Sequence, residues 1–526
     1  MTTDFDAPTQ DRRRWRRWAG AFAVLLTLVV VIAWSQRRDI AAGYIDDALA
    51  ARGVPARYAI ADLGFGRQRL TNVVIGEPAR PDLTADWVET ITSVGFGGAR
   101  VTGLRAGQVR LRGRIVDGRL SLGALDRLLP ASGGGPLALP DVSLDVADAR
   151  LRLNTPVGEV GLKLAGEGHL RGGFRGTLAA VAPRLTGDGC AGERVTGYWQ
   201  VAIRDGAPRL TGPTRAAALA CSDWRAERAV AVIDVTFAKT LDALDGSAWV
   251  EAAAVGAPRV RLTRLAGNAT TRGRFGALSG AIALGSGPSA AFGASAVRAK
   301  VSGTYRTGAS PGFTGDLALE RAALPSRWRN ALIDYGRGTG TPLSPLIAGA
   351  TAALVQAGRD AAVTARLALG RDVAGWRVQV AQFDARSASG AALAFAGGDG
   401  LSLSPAGVRI DGRATARGAG LPTGTIEVAQ AAPGAPLTGR ARFEPYAAGG
   451  AQLALTPVTF RATPGGRTQF ATQATLSGPL GAKGAGGRID RATLPVVGGW
   501  DGGRRLVLNP GCVRGGFDRL AVAGLV

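Results

Sequence analysis

Histidine carries much of the acid–base and metal chemistry available near neutral pH, and this chain of 526 residues has one, His169. It stands in the strand-like stretch GEGHLRGGF, so any Ser-His-Asp triad must use it and a cluster of histidine metal ligands is excluded. His169 is therefore expected to be an ordinary surface residue. The three cysteines, Cys190, Cys221 and Cys512, lack CxxC spacing, which removes zinc-ribbon and thioredoxin-like sites. GDGC and ALAC border neighbouring apolar stretches one hairpin apart, so in an oxidising compartment Cys190 and Cys221 are the candidate disulfide and Cys512 stays single. No P-loop or dinucleotide fingerprint follows a strand, and glycine-rich stretches such as ASGGG at residues 131–135 read as turns. These residue types point to no catalytic group, no metal and no cofactor, so an enzyme is not expected.

The first forty residues set the compartment. Arg12, Arg13, Arg14, Arg16 and Arg17 precede the uncharged run WAGAFAVLLTLVVVIAW, which is about as long as a bilayer core requires of a helix and carries Trp18 and Trp34 at its ends. More arginines precede the run than follow it (Arg37, Arg38), so the positive-inside rule keeps the N-terminus cytoplasmic and sends the remainder across the membrane. A cleaved signal peptide is the competing reading, because Ala33 and Ser35 form a small-x-small site before Gln36; the length of the run favours retention.

The exported part reads as β-structure. Glycine accounts for 78 residues and aromatics for only 6%, while hydrophobic residues still reach 46%, so the apolar content is mostly Ala, Val and Leu, which suits strands separated by many turns. The net charge of +23 is carried by isolated arginines between apolar residues, with lysine only at 163, 239, 300 and 483. Such a ladder is the solvated face of a sheet, with attraction to anionic headgroups as the alternative; no nucleic-acid partner is expected. Apolar residues alternate with polar ones in register after register: Val109 and Leu111; Val142 and Leu144; Leu151 and Leu153; Leu162 and Leu164; Leu367 and Leu369; Val378 and Val380; Leu453 and Leu455. Turn signals such as VDGR, RDGAP and TPGG intervene every ten to fifteen residues, which predicts a long antiparallel meander with one oily face and not a set of βαβ units.

Helical spacing is confined to Ile40–Arg52, Leu122–Leu129 and an interlude holding RWRNALIDYG and PLSPLIAGATAALVQAG. The expected organisation is a basic tail (1–17), an anchor (18–35), a β section (36–322), a helical insert that divides the sheet (323–358) and a second β section (359–526). The insert is either a connector on the sheet edge or a lid.

Several stretches carry a resemblance. The anchor, IADLGFGRQRLTNVVIG, RIVDGRLSLGALDRLLP and DVSLDVADARLRLNTPVGEVGLKLAGEGHLRGGFRGTLAA resemble the AsmA-like inner-membrane-anchored proteins of Gram-negative bacteria. TPLSPLIAGATAALVQAG and LVLNPGCVRGGFDRLAVAGL are closest to the YdbH-type branch. The resemblance implies a mostly β protein whose curled antiparallel sheet forms an open gutter carrying phospholipid between inner and outer membranes, without a catalytic constellation. It also implies a single-pass inner-membrane protein with a periplasmic bulk and an outer-membrane or periplasmic partner, and a chain that stops short at Val526. On physical grounds too, so many strands with so few helices and large aromatics lack a second layer to cover their oily face, and acyl chains would fill it. The alternative is an envelope scaffold whose β-core is closed and packed.

Overall fold

The computed structural model describes residues 37–522 except 65, 96–97, 117–118, 129–138, 188, 338–342, 464–466, 481–485 and 501–505. The expected anchor at 18–35 lies outside the described residues. Among the described residues no helix is long and apolar enough to cross a membrane. The fold is mostly β, with few helices and strands that pair almost entirely antiparallel. It divides into two compact units: Met1–Gly187 with Val195–Gly212 and Ala238–Leu241, and Asp188–Arg194 with Pro213–Phe237 and Asp242–Val526.

The first unit starts with the helix Arg37–Ala51, which ends where Gly53 turns to φ 63° and Pro55 stops any continuation. The Tyr58 hydroxyl ties the helix to the strand Ala56–Leu63 by donating to Asp46 Oδ1 at 2.7 Å; burial first, then that bond and the carboxylate's charge, push the phenol up to about 12. Antiparallel pairing then links Ala56–Leu63, Arg67–Ile75, Leu83–Gly95 and Gly98–Gly107 in sequence.

Here the meander departs from expectation. Ser143–Thr155 pairs in parallel with both Gly98–Gly107 and Val109–Val116. A parallel pair needs a return connection of a dozen residues or more, and residues 117–142 supply it. That return contains the 3-10 helix Gly123–Arg127 in place of the expected α-helix. Two carboxylates take its first N–H groups, Asp126 that of Leu122 at 2.8 Å and Asp82 that of Ala124 at 2.9 Å, so a tight turn is satisfied without a longer ladder. Antiparallel order resumes with Gly158–His169 and Arg175–Gly187.

In the second unit consecutive antiparallel pairs run from Trp224–Phe237 to Gly487–Trp500. The insert at 323–358 does not divide this sheet. Gly312–Ala322 pairs directly with Ala361–Asp372, and the Leu324 N–H bonds the Gly358 carbonyl at 2.7 Å, closing the excursion at its base. The insert holds two helices, Ser326–Gly336 and Ser344–Ala357. The second lies along strand ends, where Ala357 packs with Ala391 and Leu421 and where Gly349 meets Tyr446 and Ala448.

Candidate functional site

Cross-strand partners point to the same side of a sheet, so pairing traces each face residue by residue. In the first unit Leu111 pairs with Leu151 and Leu151 with Leu162; Val109 pairs with Ala149 and Ala149 with Leu164; Leu153 faces Gly113 and Val160. Val109 is buried together with Val73, Ala85, Ala106 and Val146, and Leu111, Leu144 and Leu164 pack against that cluster. Leu144 and Leu164 also touch a second cluster of Phe174, Val201 and Ile203, so one apolar face runs through both. Val142 lies just ahead of the strand, half-buried, its carbonyl accepting the Leu170 N–H.

Parity changes along Ser143–Thr155, from Leu144 and Val146 to Ala149, Leu151 and Leu153. A β-bulge between Val146 and Ala149 inserts the odd residue and keeps both sets on one side. The same device joins Val378 and Val380 to Phe383 in Gly375–Ser387.

The second unit carries a longer row. Val250, Gly267, Leu284, Val301, Leu317 and Ala365 are successive partners on successive strands. The row continues through Phe383, Phe395, Ala414, Ile426 and Ala441 to Val458. A parallel row joins Phe313, Leu369, Val378, Leu403 and Val408, and another joins Leu367, Val380, Leu401 and Ile410. Leu453 and Leu455 pair with Leu476 and Ala474 on a strand whose Phe470 faces Phe460. Each row is one residue per strand, apolar or glycine throughout.

The two shorter rows are not packed as a core, whereas Ala365 and Ala441 of the long row are buried. Leu369 is 38% exposed, Leu401 39%, Val408 51% and Leu403 53%, although they are direct neighbours on one face. Among the described residues Phe174 is the largest fully buried side chain, and alanine dominates the buried set. Aromatic rings add little height to the face. Phe313 lies over the paired Gly303 and Gly315, where added Cβ atoms would come within 2.8 and 2.7 Å of its Cζ, and Phe460 covers Gly439 in the same manner. A ring laid along the sheet over a glycine leaves room above it. Exposed apolar patches of this extent mark binding surfaces. Over residues 24–501 the chain matches the family model described as YdbH-like, intermembrane phospholipid transport protein YdbH.

The chain belongs to the YdbH-like family. No curated protein and no solved structure matches it.

The opposite face of this YdbH-like chain is charged. Asp62, Arg69, Glu89, Arg105, Asp145, Glu167 and Arg175 are successive cross-strand partners in the first unit, with Arg105 Nε 3.3 Å from Asp145. Arg110, Arg150 and Lys163, also in one row, converge on Asp148 at 2.8, 3.2 and 3.5 Å. Desolvation alone would raise the Asp148 carboxyl; hydrogen bonds from Arg150 and Arg110, and their charges, hold it below the usual carboxylate range. An open concavity of about 640 Å³ in the second unit takes Lys300, Ser302, Asp316, Thr364 and Arg366 from the polar rows. Its charged side chains belong to this face and not to the apolar one.

His169 pairs with Ser143 across the strands and has Asp141 Oδ1 3.1 Å from Nε2, the ingredients of a triad by residue type. Its Nδ1, however, accepts the Arg171 N–H at 3.2 Å, so neither ring nitrogen is available to the Ser143 hydroxyl. Cys190 and Cys221 are joined as a disulfide, and Cys512 is free and exposed.

Period-two reading did not find Gly267, Gly303 and Gly315, because a glycine interrupts the hydrophobic alternation that marks a face. Phe174 sits at a turn between strands, where no alternation exists. A legible signal for the glycines was their position opposite large residues, which requires the register.

Proposed function

We propose that this protein is an inner-membrane-anchored periplasmic conduit that moves phospholipids between the inner and outer membranes along its apolar β-faces, and that it is not an enzyme. The observation that carries the reading is the set of cross-strand rows, apolar from strand to strand, in which Leu369, Leu401, Val408 and Leu403 stay more than a third exposed. Each methylene held in water costs ~0.8 kcal/mol, so a tail of ~16 carbons crossing the periplasm faces about 12 kcal/mol that a continuous apolar lining removes. Membership of the YdbH-like family supports phospholipid as the cargo. Residues 18–35 supply the anchor, and an outer-membrane or periplasmic protein receives the lipid. The lining comprises Val109, Leu111, Val142, Leu144, Leu151, Leu153, Leu162 and Leu164 in the first unit. In the second it comprises Leu367, Leu369, Val378, Val380, Leu453 and Leu455, together with the long row through Leu317.

Native mass spectrometry of the full chain released from mild detergent tests this directly. Several phospholipids per chain are expected to remain bound, as the length of the rows requires. A chain that leaves detergent free of lipid contradicts the conduit.

A further inference from the structure

The rows of Arg110–Arg150–Lys163 and Arg112–Arg152 set like charges directly opposite one another, an arrangement that destabilises a sheet unless it is compensated. Asp148 compensates the first row, and Glu159, 2.7 Å from Arg152, half of the second. Arg112 and Arg114, both exposed, have no side-chain partner among the described residues. They face a cavity of about 600 Å³ that is also lined by Ser121, Asn154 and Arg127. Register places Ser121 and Asn154 on either side of Arg114; the Ser121 hydroxyl donates to Asp126 at 2.7 Å, which leaves the guanidinium and the amide in line. Two acids also line the cavity, Glu77 and Asp82, and Asp82 accepts the Ala124 N–H, so three arginines face two carboxylates.

Two features of place give the cavity its meaning. Gly53, which closes the helix Arg37–Ala51, forms part of its wall and accepts a hydrogen bond from Arg127, so the cavity lies at the end of the unit that follows the expected anchor. Gly113, between the two free arginines, looks onto the opposite face, where an added Cβ would meet methyl groups of Leu122, Leu153 and Leu151 at 3.1 to 3.4 Å. Cationic donors therefore stand one strand thickness from the apolar face. Guanidinium groups beside an amide match the oxygens of a phosphodiester.

We propose that Arg112, Arg114 and Asn154 bind the phosphodiester of a phospholipid as it enters the apolar face, an assignment that rests on the conduit reading above. The test measures binding of fluorescent phosphatidylglycerol, and of a diacylglycerol with the same chains, to the full-length protein in mixed micelles. The wild type is expected to hold phosphatidylglycerol at least ~10-fold more tightly, a difference of about 1.4 kcal/mol. Arg112→Gln/Arg114→Gln is expected to erase that preference while leaving diacylglycerol binding and thermal stability unchanged, and Glu77→Gln to increase it. Arg272→Gln, an exposed arginine of the second unit, should change nothing. A preference that survives the double substitution overturns the site and leaves the conduit standing. Failure of both lipids to bind the wild type overturns the conduit and the site together. Glycerol phosphate that displaces phosphatidylglycerol mole for mole assigns the arginines to soluble phosphate esters and overturns the lipid assignment.

Discussion

Leu403→Asp/Val408→Asp is expected to leave the protein at normal abundance and to cut lipid flux between the membranes by at least ~10-fold. The two residues are cross-strand partners and each is about half exposed, so the fold gains little from burying them. Each substitution alone changes stability by about 0.5 kcal/mol or less at such positions, and the two opposed carboxylates add about 0.2–1 kcal/mol of repulsion, a small total beside the cost to a sliding tail. A sliding acyl chain meets a different cost, because passing two carboxylates in an otherwise apolar row means desolvating charge, worth several kcal/mol, and ~1.4 kcal/mol suffices for a tenfold loss. The measurement pairs immunoblot abundance with transfer of a labelled phospholipid, in cells that depend on this chain for the flux. Full flux with both carboxylates in place removes the conduit. A closed β-core responds in the opposite way, losing abundance as the buried charges unfold it.

Phe174→Ala is expected to be the most damaging single truncation, costing about 3–5 kcal/mol, because Phe174 is buried against Val201 and Ile203 and its ring lies over Gly166. Leu403→Ala and Leu369→Ala remove large side chains too, yet each should cost about 1 kcal/mol or less, since much of each side chain already lies in water. Chemical denaturation monitored by tryptophan fluorescence compares them. Equal losses at all three positions would mean that the rows are packed like a core, as the scaffold reading requires.

The alternation of QVRLRGRIV, DVSLDV and WRVQV made the β-class and the polar and apolar sides of each strand legible before any coordinates, because the side-chain period of a strand is two. What alternation could not carry was the joining of one stretch to the next. The parity change after Val146 and again after Val380 looks in sequence like a switch of faces, and only a bulge, a property of the pairing, restores it. The parallel return onto Val109–Val116 was hidden for a similar reason, since the alternation of a strand carries no record of its direction relative to a neighbour. The helical insert was visible from its spacing, but its effect on the sheet depended on whether residues 322 and 361 meet, which they do. Arg112 and Arg114 read as members of a solvated face. Their isolation follows from Asp148 and Glu159 being spent on neighbouring rows, information that one strand does not contain.

Phospholipid tails are expected to lie on the apolar side of the sheet in each unit. Photo-crosslinking amino acids placed at Leu153 and Leu317 on the apolar rows, and at Asp145 and Asp316 on the polar rows, test it in living cells with radiolabelled phospholipid. Labelled lipid attached at Leu153 and Leu317, and absent at Asp145 and Asp316, is the result expected here; equal labelling at all four positions, or none at any, contradicts it.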